Sequence, residues 1–330
     1  GFGDELKHIN LFEAGHPLPD KAGVEETQKI YSICKNATEN DLIISLISGG
    51  ASSLLVQPVE GISLEDKIET TNLLLLSRAS INEINVVRKH LSLVKGGKLM
   101  KAAFPAKVVS LIISDVIGDD LHAIGSAPFY YDQTSFKDAE DALNNYDIIE
   151  NIPKVIQTFL NEGKGSVHNE TPKIPFDHID HHIVGSNAIV LKKAQQLLQK
   201  EGIDTTIIEE PLEGDTNELA KELIKFSLDH QKTTHAYIFG GEPTVVVKGE
   251  GQGGRNQHLC LKVLTLCDGS CDITFMSAAT DGVDGNSNAA GAVVDMHSHI
   301  YAKEHNIDPQ HYLACFDSNS FFSKTGEVLI

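Results

Sequence analysis

Four glycines within six positions, Gly249, Gly251, Gly253 and Gly254, lead into Arg255 and an apolar run through Leu259, Leu261, Val263 and Leu264. Glycine lets a ligand come close to main-chain N–H groups. A helix starting just after such a loop would aim its positive N-terminal end at the same place. Arg255 would add a forked donor suited to phosphate or carboxylate. The run reads as an anion cradle; the competing reading is a flexible loop with a solvated arginine. Gly241-Glu242 and the acidic loop Thr280-Asp281-Gly282-Val283-Asp284-Gly285 each follow an apolar strand-like run. The acidic loop lacks the spacing and closing glutamate of a calcium loop, which excludes an EF-hand.

The first half carries a second group. Ser48-Gly49-Gly50-Ala51-Ser52-Ser53 offers small residues and hydroxyls that could wrap an anion. Asp115, Asp119 and Asp120 gather three carboxylates in six residues, a density that suits magnesium on a phosphate or a solvated acidic loop. Gly125-Ser126-Ala127-Pro128 is a further small-residue turn. Arg88-Lys89-His90 and Lys95 form a local basic group; Arg88 and Lys95 lie two helical turns apart and would share a face. They could hold a carboxylate or a transferring phosphoryl group, or pair with surface carboxylates.

These residues need strand ends and helix starts to position them. Asp41 to Ser48 and Lys107 to Ser114 read as buried strands, as do His182 to Gly185, Thr205 to Glu209, Ala236 to Phe239, Thr244 to Lys248, Asp272 to Ala278 and Gly291 to Asp295. Ser63-Leu64-Glu65-Asp66 predicts a capping box opening a helix that runs to about Ser77. Further helices are expected over Asn85 to Val94, Asn187 to Lys200, Thr216 to Asp229 and after Arg255. The alternation argues for an α/β fold with a parallel sheet covered on both faces. Ligands bind beyond the carboxyl ends of such strands, where these loops stand. The expected architecture is two α/β domains, the first Rossmann-like with a mostly parallel sheet, and a cleft between them.

The chain has 330 residues, too many for one ordinary core. Pro153, Gly163, Gly165, Pro172 and Pro175 interrupt a polar stretch, and the domain boundary is placed there, giving residues 1–176 and 177–330. A net charge of −19 disfavours nucleic acid. No apolar run is long enough to span a bilayer. Five scattered cysteines show no zinc spacing and fit a reducing, cytoplasmic setting. His178, His181 and His182 lack ligand spacing and read as a solvated linker. No Walker lysine, Gly-x-Gly-x-x-Gly after the first strand or Gly-x-Ser-x-Gly elbow is present, which disfavours a P-loop kinase, a plain dehydrogenase and an α/β-hydrolase. Gly1-Phe2-Gly3 does not read as a natural start, so a fragment of a longer protein is expected.

In order along the chain, the sequence contains Glu13-Ala-Gly-His16-Pro-Leu-Pro-Asp20, Leu46-Ile-Ser-Gly-Gly-Ala-Ser-Ser-Leu-Leu55, and Asn85-Val-Val-Arg-Lys-His-Leu-Ser92 with Lys95-Gly-Gly97. Ser114-Asp115, Gly118-Asp119-Asp120, Gly185-Ser-Asn187 and Gly241-Glu242-Pro-Thr-Val245 follow. Gly251-Gln-Gly-Gly-Arg-Asn-Gln257, Thr280 to Gly285 and Ala289-Ala-Gly-Ala292 close the series. The chain resembles the type II glycerate kinases, the glycerate 2-kinase family with a C-terminal MOFRL domain.

The resemblance implies ATP-dependent phosphorylation of D-glycerate at its 2-hydroxyl, with Mg2+, in a cytoplasmic enzyme whose partners are small molecules, a homodimer being left open. Arg255 matches the family's catalytic arginine. Its catalytic lysine belongs to a glycine loop upstream of Gly1, so no residue here takes that role. Asp115 and Asp281 join Arg255 as catalytic candidates. Ser48, Gly49, Gly50, Ser52, Ser53, Arg88 and Lys95 are the substrate-binding candidates. Gly251, Gly253, Gly254, Asn256, Glu242 and Asp284 are those for the nucleotide, and Asp115, Asp119 and Asp120 those for the metal. Which carboxylate accepts the hydroxyl proton stays open. The chain departs from the family pattern at Ala51, at Gly125 to Phe129, at Asn288 and in its final residues Thr325 to Ile330. A hydroxypyruvate reductase-type oxidoreductase and an inactive ligand-binding remnant are the alternatives.

Overall fold

The computed structural model describes residues 7–163, 170–230, 235–269 and 271–330; Gly1-Phe2-Gly3 and Gly165 lie outside them. The chain divides into two compact units, Gly1–Ile189 and Val190–Ile330.

The first unit runs α1 (Lys21–Asn36), β1 (Leu42–Ile47), α2 (Ala51–Leu54), α3 (Leu64–Leu76), α4 (Ile81–His90), α5 (Lys98–Ala103), β2 (Lys107–Ile113), α6 (Phe136–Asn144), α7 (Lys154–Gly163) and β3 (Ile179–Gly185). Its three strands pair in parallel, in the order β1-β2-β3. Ser63 and Asp66 cap α3 reciprocally, as the sequence predicts, and Ser80 with Glu83 does the same for α4. That second cap starts α4 at Ile81 rather than Asn85. Leu74, Ile84, Val87, Leu91, Phe136, Leu143, Ile156 and Leu160 make one core among α3, α4, α6 and α7. A second core, including Val94, Leu99, Met100, Ala103 and Val108, backs the sheet.

Several elements stand differently from the sequence reading. β3 pairs with β2, so it completes the first unit's sheet instead of opening a new domain. The division between units falls at 189/190, beyond 176/177. Helix α7 occupies the first part, Lys154–Gly163, of the stretch whose prolines and glycines suggested a domain boundary. Cover on both faces also fails: Leu42, Ile44 and Leu46 on alternate positions of β1 are 57, 60 and 77% exposed, so the described residues leave that apolar stripe open.

Helix α8 (Asn187–Lys200) spans the division. The second unit continues with β4 (Asp204–Ile207), β5 (Leu212–Asp215), α9 (Thr216–Asp229), β6 (His235–Ile238), β7 (Gly241–Thr244), α10 (Arg255–Cys267), β8 (Phe275–Ala278), β9 (Gly291–Val294), α11 (Met296–Glu304), α12 (Pro309–Ala314), α13 (Ser318–Thr325) and β10 (Val328–Leu329). β4 pairs with β6 and β5 with β7 in parallel, while β10-β9-β8 is antiparallel. Buried Leu259, Leu261, Val263 and Leu264 of α10 meet Leu219, Leu223, Ala292, Phe321 and Phe322. The strand expected over Thr244 to Lys248 sits earlier, at Gly241–Thr244, because β5 supplies its partner there. Val246 and Val247 are left 66% and 60% exposed.

Candidate active site

In the first unit, one lysine ties the small-residue turns together. Lys95 is 1% exposed. Its Nζ donates to the Ser52 carbonyl at 2.8 Å and to the Gly125 carbonyl at 3.4 Å. The adjoining Gly96 and Gly97 N–H groups donate to the carbonyls of Ser126 and Ala127 at 2.9 and 2.7 Å. Gly125, Ser126 and Ala127 all carry positive φ, 57°, 61° and 57°. A run of left-handed residues costs free energy unless its surroundings hold it, and these bonds hold it. Ser126 Oγ, fully buried, lies 3.1 Å from Asn85 Oδ1 and 3.0 Å from Ser52 Oγ. The Ser48–Ser53 turn, the Lys95–Gly97 turn and the Gly125–Ala127 turn are thus one hydrogen-bonded assembly. Lys95, read in the sequence as a substrate-binding residue, serves in it as a clamp between loops.

Asp115, at the carboxyl end of β2, faces the same turn. A Cβ added to Gly49 would come within 2.8 Å of Asp115 Oδ2, so the glycine lets the carboxylate approach. His16 lies against Gly50. The expected metal trio does not form. Asp119 sits in a left-handed turn, Asp120 accepts from the His122 N–H at 2.9 Å, and the described residues contain no group of three metal-ligating side chains. Consecutive loop residues diverge in direction, so closeness in sequence does not make them converge. Ser48 is exposed at the end of this turn, and Ser53 Oγ donates to the Gly50 carbonyl at 3.0 Å.

The basic group separates by helix face. Lys89 makes a buried ion pair with Asp132 at 3.2 Å, and His90 Nε2 lies 3.0 Å from Glu170. Lys98 Nζ donates to the Lys89, His90 and Ser92 carbonyls around the end of α4, at 3.3, 3.4 and 2.6 Å. Arg88 differs. Among the described residues no hydrogen bond or ion pair engages its guanidinium, and burial lowers its pKa. Asn85, three residues earlier, shares its face and reaches Ser126.

Sequence reasoning passed over Lys67. It is 5% exposed on α3, and its Nζ has no hydrogen-bond partner among the described residues. Burial, then the charges of Lys98 and Arg88, pull it from 10.5 to about 7. Lys95 is lowered well below its ordinary value by burial, then by Lys67 and Arg88. Its signal was present: with Leu64, Thr70 and Leu74, Lys67 lies on the buried stripe of α3, where a lysine is out of place.

These shifts predict a pH dependence. The unfolded chain protonates Lys67, Lys95 and Lys98 near 10.5, whereas in the fold Lys67 loses its proton near 7 and Lys98 near 8. Between these limits the unfolded state binds more protons, so stability rises with pH. Above pH 9 the buried thiols of Cys34, Cys260 and Cys267, whose pKa values are raised by burial, act in the opposite sense. Urea unfolding in a buffer lacking carboxylate and phosphate is expected to show stability rising by roughly 1–3 kcal/mol from pH 7 to 9. A flat or falling curve would contradict the lowered proton affinity of these buried lysines.

In the second unit the glycine run and the acidic loop are bound to each other. Asp284 is 1% exposed. Its carboxylate accepts from the backbone and side-chain nitrogens of Asn256, both at 3.0 Å, and from those of Gln257 at 2.8 and 3.1 Å. Asn256 Oδ1 accepts from Ser277 Oγ, and Gln257 Oε1 from Asn319 Nδ2. Asp284 is therefore the anion at the N-terminus of α10. Asp284, read in the sequence as a nucleotide ligand, takes the free N–H groups at the start of this helix, and Asn256, read likewise, donates to it from backbone and side chain. The glycine cradle is also partly filled. Gly253 N–H donates to Asn286 Oδ1 and Gln252 N–H to Asp317 Oδ1. A Cβ on Gly254 would lie 2.4 Å from Asp284, and one on Gly251 2.6 Å from Asp317. These glycines answer to close packing of the chain on itself. Arg255 projects from the first turn of α10, 40% exposed, with Nη1 donating to Glu242 at 2.8 Å. Asp281 is exposed and accepts the Val283 N–H at 3.1 Å.

Comparison with known proteins gives consistent matches. A family model described as a domain of unknown function (DUF4147) matches residues 1–161, and the MOFRL family model matches residues 235–330. A D-glycerate 2-kinase from Thermotoga maritima is 39% identical over 331 residues, covering 98% of this chain and 77% of the relative. A glycerate 2-kinase from Pyrococcus horikoshii is 38% identical, covering 100% of this chain and 76% of its own length. A crystal structure of a glycerate kinase from Thermotoga maritima aligns with a TM-score of 0.86 at 37% identity, over 99% of this chain and 78% of that one.

Proposed function

The chain belongs to the glycerate 2-kinase family, and from that premise we propose that it transfers the γ-phosphoryl group of ATP to the 2-hydroxyl of D-glycerate. The observation that carries the reading is the clamp of Lys95 on Ser52 and Gly125, which fixes three small-residue turns, with Lys95 itself under the charge of an arginine that has no partner among the described residues. Phosphoryl transfer asks a protein chiefly for positioning and charge stabilisation. A rigid turn with hydroxyls and main-chain N–H groups, next to cations, meets the needs of a small hydroxy acid.

Ser48, Gly49, Gly50, Ser52 and Ser53 are assigned to the substrate hydroxyls, with Asp115 beside them as the carboxylate placed to accept a proton. In the second unit Arg255 and Glu242 are assigned to the nucleotide. Arg255 exchanges its exposed pair with Glu242 for phosphate oxygens, which bind a guanidinium in the same forked manner. Bound MgATP supplies the transferable phosphoryl group. Magnesium commonly rests on phosphate oxygens and one or two carboxylates. Asp115 or Asp281, both exposed at loop ends, fits that demand where a three-carboxylate cage does not.

The test is ADP release measured with D-glycerate, with glycerol, and with hydroxypyruvate plus NADH. Release that requires ATP and D-glycerate together supports the proposal. NADH oxidation without ADP release would replace it with the reductase reading, and glycerate binding without turnover would replace it with that of a binding remnant.

A further inference from the structure

We propose that Lys67 and Arg88 together receive the carboxylate of the acceptor substrate, which makes Lys67 a substrate-binding residue. This rests on the glycerate kinase reading above. The other buried lysines of the unit show how this fold satisfies an ammonium. Lys89 has Asp132, Lys98 has three carbonyls, and Lys95 has two. Lys67 is equally covered, yet its Nζ meets neither carboxylate nor carbonyl among the described residues. A buried ammonium without a counter-ion opposes folding.

The charges acting on Lys67 make its isolation greater. They are the cations Lys98 and Arg88, and Lys67 acts in turn on Lys95. Lys98 is held by the carbonyls at the end of α4 and feels Glu170 and Asp132. Arg88 has no hydrogen bond or ion pair of its own among the described residues. A chain of net charge −19 thus keeps neighbouring cations without a counter-ion among the described residues of the first unit. Lys95, on which Lys67 and Arg88 both act, bonds the Ser52 carbonyl of the hydroxyl-bearing turn. A small anion carrying hydroxyls matches that pairing: a planar carboxylate suits Arg88's fork, Lys67 adds a point charge, and the serine turn takes the hydroxyls. Phosphate shares the charge, and the experiment separates the two.

The test compares wild type with Lys67→Met, which keeps the bulk and removes the charge, in two measurements. In the coupled assay the KM for D-glycerate is expected to rise at least tenfold, with the KM for ATP changed less than twofold. In thermal melting, Lys67→Met is expected to melt above wild type. Added D-glycerate should raise the wild-type midpoint and leave that of Lys67→Met in place, and glycerol, which keeps the hydroxyls and lacks the carboxylate, should shift neither. Should Lys67→Met fail to fold, Lys67→Gln is measured in the same way. An unchanged KM for D-glycerate, or a rise confined to ATP, would overturn the assignment. A lower melting point with an unchanged glycerate shift would make Lys67 merely structural. A wild type that binds D-glycerate but does not turn it over would remove the kinase reading and leave the binding inference to the melting comparison.

Discussion

Replacing Arg255 with alanine is expected to lower kcat/KM for ATP by at least about a hundredfold, roughly 2.7 kcal/mol of barrier. Its guanidinium stands on the first turn of α10, exposed enough to meet a ligand and held, among the described residues, by Glu242 alone. That pair is solvent-exposed, so little stability depends on it. Arg255→Ala should therefore keep the wild-type melting temperature while losing activity. Arg255→Lys retains the charge and loses the fork, and should recover only part of the rate. An alanine variant with wild-type kcat/KM would remove Arg255 from the chemistry.

Asp284→Ala is expected to act on stability instead, destabilising the second unit by about 3–5 kcal/mol in urea unfolding. Four donors converge on this buried carboxylate, two of them backbone N–H groups at the start of α10. Alanine would leave all four without an acceptor and open a hole where Gly254 now packs. Asp284→Asn keeps the shape but turns one acceptor into a donor, and should cost less than alanine while still exceeding a surface substitution. A variant that unfolds like wild type would show that the contacts around Asp284 are not those of a structural cap.

What could be read beforehand follows from how local each signal is. The Ser63–Asp66 cap and the 3.6-residue pattern of Thr216–Asp229 are written within one element, and both helices form where expected. The runs Leu42–Ile47 and Lys107–Ile113 likewise become paired parallel strands. Asp284 shows the opposite case. In sequence it alternates with glycine exactly as an exposed ligand loop would, and its partners lie 27 and 28 residues away. Whether such a carboxylate serves a ligand or a helix N-terminus is decided by tertiary packing alone. Val246 and Val247 carried strand propensity but pair with no strand among the described residues, and propensity did not suffice. Lys67 shares the helical spacing of Leu64, Thr70 and Leu74, but a lysine on an amphipathic helix is ordinarily solvated, so that spacing was a weak signal until burial joined it. The assembly of Ser52, Lys95 and Gly125 was legible as three separate turns, and its unity depends on bonds spanning 43 and 30 residues.

The position of the phosphoryl group on the product tests the central claim most directly. After incubation with ATP, magnesium and D-glycerate, the reaction is passed to enolase without a phosphoglycerate mutase, so only 2-phosphoglycerate is dehydrated. Immediate formation of phosphoenolpyruvate in proportion to ADP released is the predicted result. ADP release with no phosphoenolpyruvate until the mutase is added would place the phosphoryl group on the 3-hydroxyl and contradict the account.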